Sequence, residues 1–150
     1  MSFRGSSNNT IDPKGRIIIP VRFRDIIKQS EEQKLVISRM DGCLVVYTIE
    51  EWKNMEQKIL SFAKKSANMR RFRRVFIGGS SECSIDKQNR ILIPPPLRSY
   101  AHLEKDIVLA GVVDHFEIWS SADWENENRE IDKTMGEDEE FNSEIAELGL

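Results

Sequence analysis

The chain has 150 residues, 39% of them hydrophobic and 31% charged, with a formal net charge of −3. This length suits one ordinary domain or two small halves. No apolar run approaches the roughly 18 residues of a membrane span, the opening MSFRGSSNN lacks the apolar segment of a secretory signal, and two cysteines are too few for a disulfide framework. The expectation is a cytoplasmic chain with Cys43 and Cys83 reduced. The charge is unevenly divided: residues 125–150 carry ten acidic and two basic side chains, and the preceding 124 carry fifteen and twenty. A basic body with an acidic tail hints at an anionic partner for the body.

In chain order, a first strand is expected from Gly5-Ser6-Ser7 towards Ile11. Asp12-Pro13-Lys14-Gly15 then reads as a type I turn followed by a left-handed bulge: Asp accepts from turn N–H groups, Pro presets φ, and Gly takes the positive φ. A short strand over Ile17–Ile19 ends at Pro20, which opens a helix with Phe23, Ile26 and Ile27 on one face. Strands over Leu35–Ser38 and Leu44–Tyr47 flank an Asp41-Gly42 hairpin turn. Thr48 with Glu51 forms a capping pattern, and one helix is expected to run to about Phe76, with Trp52, Met55, Ile59 and Phe62 at helical spacing.

The order then repeats. Thr10–Pro20, TIDPKGRIIIP, returns 74 positions later as Ser84–Pro94, SIDKQNRILIP. Gly5-Ser6-Ser7 aligns with Gly79-Ser80-Ser81, Arg24 with Arg98, and LVISRMDGCLVVYTIEEW with IVLAGVVDHFEIWSSADW. Asp114-His115 is the expected second hairpin turn. Ser120 with Asp123 opens a last helix, expected to fray or become disordered after Asp132. The chain is a tandem duplication with boundaries at 3–53 and 76–124, a connecting helix over 54–75, and an acidic helix or tail over 125–150. Duplicated units of this kind pack as a pseudo-symmetric pair.

In the second turn Asn89 stands where the first has Gly15. Asn tolerates the left-handed region best among ordinary residues, so Asn89 is expected at positive φ, holding its turn less firmly than Gly15 does. The turn accounts for Asp and Gly but not for Arg16 and Arg90, since almost any residue fits after the bulge. Two readings stand. Each Arg pairs with an Asp, its own or the other repeat's; or two rigid turns present an Arg and a neighbouring Lys14 or Lys87 to an anionic ligand. Both hold together if the Asp orients the guanidinium.

DPKGR and DKQNR, in tandem units that open on a GSS-like strand and continue as IPxxxR, resemble the MraZ family of bacterial transcriptional regulators. The likeness covers Phe3 to Trp124 and includes FRG, GGSSEC and FEIW. The resemblance implies an α+β, β-rich fold: AbrB-like swapped-hairpin units forming a pseudo-symmetric β-barrel with flanking helices. It further implies ring-like homo-oligomers on short direct repeats in the promoter of the division and cell-wall gene cluster. Arg16 and Arg90 would then contact DNA, with the protein cytoplasmic and nucleoid-associated. Arg can fork onto guanine in a major groove that admits a two-stranded ribbon, while Lys14, Lys87 and Arg22 supply phosphate contacts. Asp12, Gly15, Asp86 and Asn89 support the turns.

The basic run Lys64–Arg74 has two readings: a structural role, packing Met69 and Phe72 and pairing with acids of a neighbouring subunit, or auxiliary phosphate contact. His102 and His115 lack metal-ligand spacing, and Asp12 with Asp86 lacks a nucleophile, so neither a metal site, a cofactor nor catalysis is expected. No small-molecule substrate or membrane partner is expected. The competing function is an oligomeric scaffold whose turns bind an acidic protein.

Overall fold

The structure is a computed structural model and describes residues 2–62 and 66–150. It divides into two compact units, Met1–Ser120 and Ser121–Leu150. In the first unit β1 (Ser6–Thr10), β2 (Arg16–Ile18) and α1 (Val21–Lys28) lead to the hairpin β3 (Lys34–Met40) and β4 (Cys43–Thr48). After α2 (Ile49–Ser61) and α3 (Ala67–Phe76) the pattern recurs as β5 (Ser81–Ser84), β6 (Arg90–Leu92), α4 (Pro95–Tyr100), β7 (Asp106–Gly111) and β8 (Phe116–Ser120). The second unit is α5 (Ser121–Glu137) and α6 (Glu139–Glu147). No helix of the described residues is long and apolar enough to cross a membrane.

The two repeats exchange strands. Six strands form one antiparallel sheet in the order β1-β7-β8-β4-β3-β5, and β2 pairs with β6 in a separate ribbon. The first strand of each repeat thus lies against the hairpin of the other. Registers obey the same symmetry: Ser7↔Leu109 in one arm matches Ile37↔Ser81 in the other, and Arg16↔Leu92 matches Ile18↔Arg90. Ile17↔Ile91 and Val45↔Glu117 each pair equivalent positions, so they lie on the pseudo-two-fold axis.

The expected barrel does not close. The sheet is open, with β1 and β5 at its edges. Each edge strand enters an Asp turn whose bulge breaks the ladder, and the chain leaves it into the ribbon, where β2 and β6 satisfy each other. Among the described residues the bridge Ile11↔Ile17 and a bond from Asn9 Nδ2 to the Ile18 carbonyl at 3.2 Å link the first edge to the ribbon.

One face of the sheet, the ribbon, α1 and α4 enclose the core. Alternate residues Leu35, Ile37, Leu44, Val46, Ile107, Leu109, Phe116 and Ile118 point into it, with Ile17, Ile91, Phe23 and Leu97 opposite. The intervening Val36, Val45 and Tyr47 are buried too. Aromatic contacts run from Tyr47 to Trp52, and from Trp52 to Phe76 of α3, while Ser38 Oγ donates to the Phe76 carbonyl at 2.6 Å. Burial on both faces explains why these strands read as nearly continuous apolar runs.

Three expectations are corrected. The helix expected to reach Phe76 is two helices. Phe62 takes extended dihedrals (φ −73°, ψ 151°) and ends α2, and the Ser66 side chain caps α3 by accepting from Met69 N–H. The beginning of the basic run, Lys64 and Lys65, lies outside the described residues. The second hairpin turn takes in Asp114 and His115, as expected, but is centred one residue earlier, on Val113-Asp114, with Val112 N–H donating to the His115 carbonyl at 2.8 Å. Val113 has φ +71°, and its N–H and C=O both bond Phe3 at 2.8 Å, which holds a β-branched residue in the left-handed region. The acidic end, expected frayed or disordered, continues as helix to Glu137 and again over Glu139–Glu147.

Candidate nucleic-acid interface

Each Asp turn is a closed hydrogen-bonded unit. Gly15 N–H donates to the Asp12 carbonyl at 2.9 Å, and Asp12 N–H to the Arg16 carbonyl at 3.0 Å. Asp12 Oδ1 accepts from Lys14 N–H at 3.0 Å and Arg16 N–H at 2.9 Å, leaving Oδ2 for Arg16 Nε at 2.6 Å. Asp86 repeats the arrangement: Oδ1 accepts from Gln88 N–H at 2.8 Å and Arg90 N–H at 2.9 Å, and Oδ2 from Arg90 Nε at 3.0 Å. Asn89 lies at φ +64°, as expected. The expectation that it holds its turn less firmly finds no support in geometry, because every bond of the first turn has its counterpart in the second.

Of the two readings of the arginines, each pairs with the Asp of its own turn. That contact uses Nε alone. Among the described residues the Nη atoms of Arg16 and Arg90 have no hydrogen-bond partner, and the side chains are 31% and 24% exposed. The carboxylate thus fixes the guanidinium and leaves its fork available.

The other repeat locks each turn. The Gly15 carbonyl accepts from Ile93 N–H at 2.8 Å, and the Asn89 carbonyl from Ile19 N–H at 2.9 Å. The ribbon joining the turns alternates: Ile17 and Ile91 are buried, while Arg16, Ile18, Arg90 and Leu92 face outward. Arg16 lies opposite Leu92 and Arg90 opposite Ile18, so the two arginines are diagonal neighbours with Cα atoms about 7–8 Å apart. Lys14 and Lys87 are exposed at the turn tips. Arg22 is placed otherwise, on α1, with Nε donating to the Arg4 carbonyl at 3.1 Å and its guanidinium 5.1 Å from the Phe23 ring centre.

Sequence reasoning aligned Arg24 with Arg98 but gave them no role at the site. Arg98 packs on the first turn: a Cβ at Gly15 would sit 2.6 Å from Arg98 Cζ. The Nε atoms of Arg24 and Arg98 are both buried without a hydrogen-bond partner. The signal was present as the second R of IPxxxR, spaced identically in both repeats. Gly15→Ala is therefore expected to lose about 1–2 kcal/mol from the left-handed backbone alone, φ being +89°, with displacement of Arg98 in addition. Chemical denaturation checks this against Asn89→Gly, which should be near neutral.

The Arg16 N–H holds the Asp12 carboxyl below its ordinary value of 3.8, with partial desolvation opposing and the Arg16 guanidinium and Lys14 N–H assisting. Asp86 is lowered likewise, chiefly by Arg90 N–H. A depressed folded pKa contributes stability above the unfolded value that is lost as pH falls through the folded one. Both turns should therefore persist through mildly acidic pH. Carboxyl NMR titration should give midpoints below 3.8 for both residues.

The remaining candidates are structural. His115 stacks on Tyr47 with ring centres 4.8 Å apart, and its Nδ1 lies 2.7 Å from Asp114. His102 ends α4 at φ +57°. Burial, aided by Glu82, pushes the Cys83 thiol up to about 12, so it carries no thiolate near neutral pH.

A duplicated α+β chain with exchanged strands, presenting two Asp-oriented arginines on one ribbon, has the architecture of a swapped-hairpin protein. Comparison with known proteins agrees. Residues 2–74 and 76–143 match a family model described as "MraZ protein, putative antitoxin-like". Proteins named "Transcriptional regulator MraZ" from Desulforapulum autotrophicum and Desulfosudis oleivorans are each 53% identical over 148 residues, 99% of both chains. One of the same name from Thioalkalivibrio sulfidiphilus is 40% identical over 149 residues, again 99% of both chains. The chain belongs to the MraZ family, a family of transcriptional regulators rather than enzymes.

Proposed function

We propose that this chain is a sequence-specific DNA-binding regulator whose β2–β6 ribbon enters the major groove. The observation that carries the reading is the outward ribbon face, where Asp12 and Asp86 each aim an arginine whose Nη atoms are unengaged. A major groove admits such a ribbon, and Arg forks onto guanine O6 and N7. At the spacing above, the two arginines span about two base-pair steps. Lys14 and Lys87 reach phosphates from the turn tips, and Arg22 adds a flanking contact once it leaves the Arg4 carbonyl. The family resemblance adds the target: short direct repeats in the promoter of the division and cell-wall gene cluster, bound by a ring-like homo-oligomer in the nucleoid.

The test is a titration of a tandem-repeat promoter fragment at several salt concentrations, with random DNA as competitor. Specific DNA should win, and affinity should fall steeply with log salt, by about 0.9 decades per decade for each phosphate engaged. Lys14→Ala should weaken specific and random DNA alike and reduce that slope. Equal binding to both DNAs, with tight binding to an acidic protein surface instead, would favour the scaffold reading.

A further inference from the structure

Antiparallel strands with one wet face normally carry polar residues on it. The β2–β6 ribbon breaks that pattern at two equivalent positions. Ile18 and Leu92 lie on its outward face, 57% and 55% exposed, while the inward Ile17 and Ile91 are covered. Ile18 follows Arg16 by two residues and Leu92 follows Arg90 by two, so the duplication writes an exposed apolar side chain near each arginine. Ladder bonds decide which neighbours are closest. Ile93 N–H and Ile19 N–H donate across the ribbon to the Gly15 and Asn89 carbonyls. By alternation, Arg16↔Leu92 and Ile18↔Arg90 are the pairs without ladder bonds, whose side chains stand closest, with Cβ atoms about 4.5–5.5 Å apart. Each arginine therefore has an apolar side chain of the other repeat at its side.

Resting on the major-groove reading of this ribbon, we infer that Ile18 and Leu92 are specificity-determining residues that contact the 5-methyl group of thymine in base pairs adjoining the guanines held by Arg90 and Arg16. The thymine methyl is the apolar feature of the major groove, and cytosine lacks it. Base pairs stack about 3.4 Å apart, so a side chain standing beside an arginine at the spacing above meets the next base pair rather than the same one. Methyl and side chain are both wet before binding, and covering them favours the complex by about fourfold for each methyl. Arginine alone accepts any guanine; with its apolar neighbour the ribbon recognises a G·C pair and an adjacent A·T pair together. Charge selects DNA over a second copy of this chain. The two apolar side chains sit between arginines whose Nη atoms are unengaged, with Lys14 and Lys87 at the turn tips, so an identical face would be repelled.

The test compares the tandem-repeat promoter fragment with the same fragment carrying deoxyuridine for every thymidine, which deletes the 5-methyl groups and leaves the pairing edges alone. The full-length parent should bind the deoxyuridine fragment more weakly, by about fourfold for each methyl contacted, at an unchanged salt slope. Restoring thymine one position at a time should recover affinity only beside a guanine. Ile18→Ala/Leu92→Ala should melt like the parent, bind the thymine fragment more weakly and no longer distinguish the two fragments. Equal binding of both fragments by the parent, with its preference over random DNA intact, would overturn the methyl contact and spare the DNA-binding reading. A parent with no preference for the promoter over random DNA would overturn both. A double variant that keeps the parent's methyl dependence would also overturn the inference, and if it fell in mass by light scattering the two side chains would belong to a contact between copies.

Discussion

Arg16→Ala should lose specific DNA binding while leaving the fold in place. Removing the side chain takes away only the Nε contact to Asp12 Oδ2; the Oδ1 bonds from Lys14 N–H and Arg16 N–H are backbone bonds that alanine keeps. The lost ion pair is only partly buried, and pairs that solvent still reaches contribute little to stability. The binding effect is larger. A bidentate guanine contact discriminates by about 1–3 kcal/mol, or roughly fivefold to 150-fold for each engaged turn. Several copies on one promoter multiply that loss through effective concentration. Arg90→Ala should weaken binding comparably, since Asn89 and Asp86 hold their turn with the same bonds as the first. Asp12→Ala should act differently, removing the acceptor on which the turn is built and lowering both melting temperature and affinity. Titration of each variant on one operator at fixed salt, beside its melting curve, separates the cases. Parent-like binding by Arg16→Ala would remove the ribbon from the DNA interface. A large drop in its melting temperature would assign the arginine a structural role.

Phe116→Ala should cause the largest loss of stability from a single substitution. Phe116 is fully buried on β8, with its ring centre 5.3 Å from Phe3 and 5.0 Å from Phe23, while Phe3 and Phe23 meet edge-on at 5.3 Å. The trio joins the N-terminal segment, the helix of the first repeat and the last strand of the second. Truncation leaves a cavity that three separate elements must collapse to fill, and comparable substitutions cost about 3–5 kcal/mol. That is a large share of the 5–15 kcal/mol typical of a domain. Urea denaturation should show a lower midpoint at unchanged slope. A loss below about 1 kcal/mol would mean that the trio is not the centre of the core.

The two turns were legible because duplication wrote them twice. Asp12, Gly15 and Arg16 recur as Asp86, Asn89 and Arg90 at one spacing, and each residue has a local reason to be there. Strand pairing was not legible from the residues themselves: nothing in SSNNT indicates that it lies against IVLAG of the other repeat, and only the family resemblance supplied the exchange. Nor was the packing of Arg98 on Gly15, because its partner lies in the other repeat. The break at Phe62 escaped notice for a different reason, since phenylalanine is an ordinary helical residue and the helical spacing continues through it. Val113 is the clearest case of tertiary override, its positive φ held by two backbone bonds to Phe3.

Strand exchange within one chain also sets when this protein can fold. Ser6 pairs with Ala110, so the first strand off the ribosome waits for nearly the last one of its sheet. At typical synthesis rates of about 5–20 residues per second, that interval is roughly 5–20 s. Meanwhile the β3–β4 hairpin can close at once, but one of its flanks stays open until β5 emerges and the other until β8 does. Contacts between such distant segments slow the search for the native state. The nascent chain thus carries unpaired strand edges for most of its synthesis, and the polar SSNNT of β1 is well suited to that wait, since an apolar strand left open that long would recruit its neighbours on the polysome.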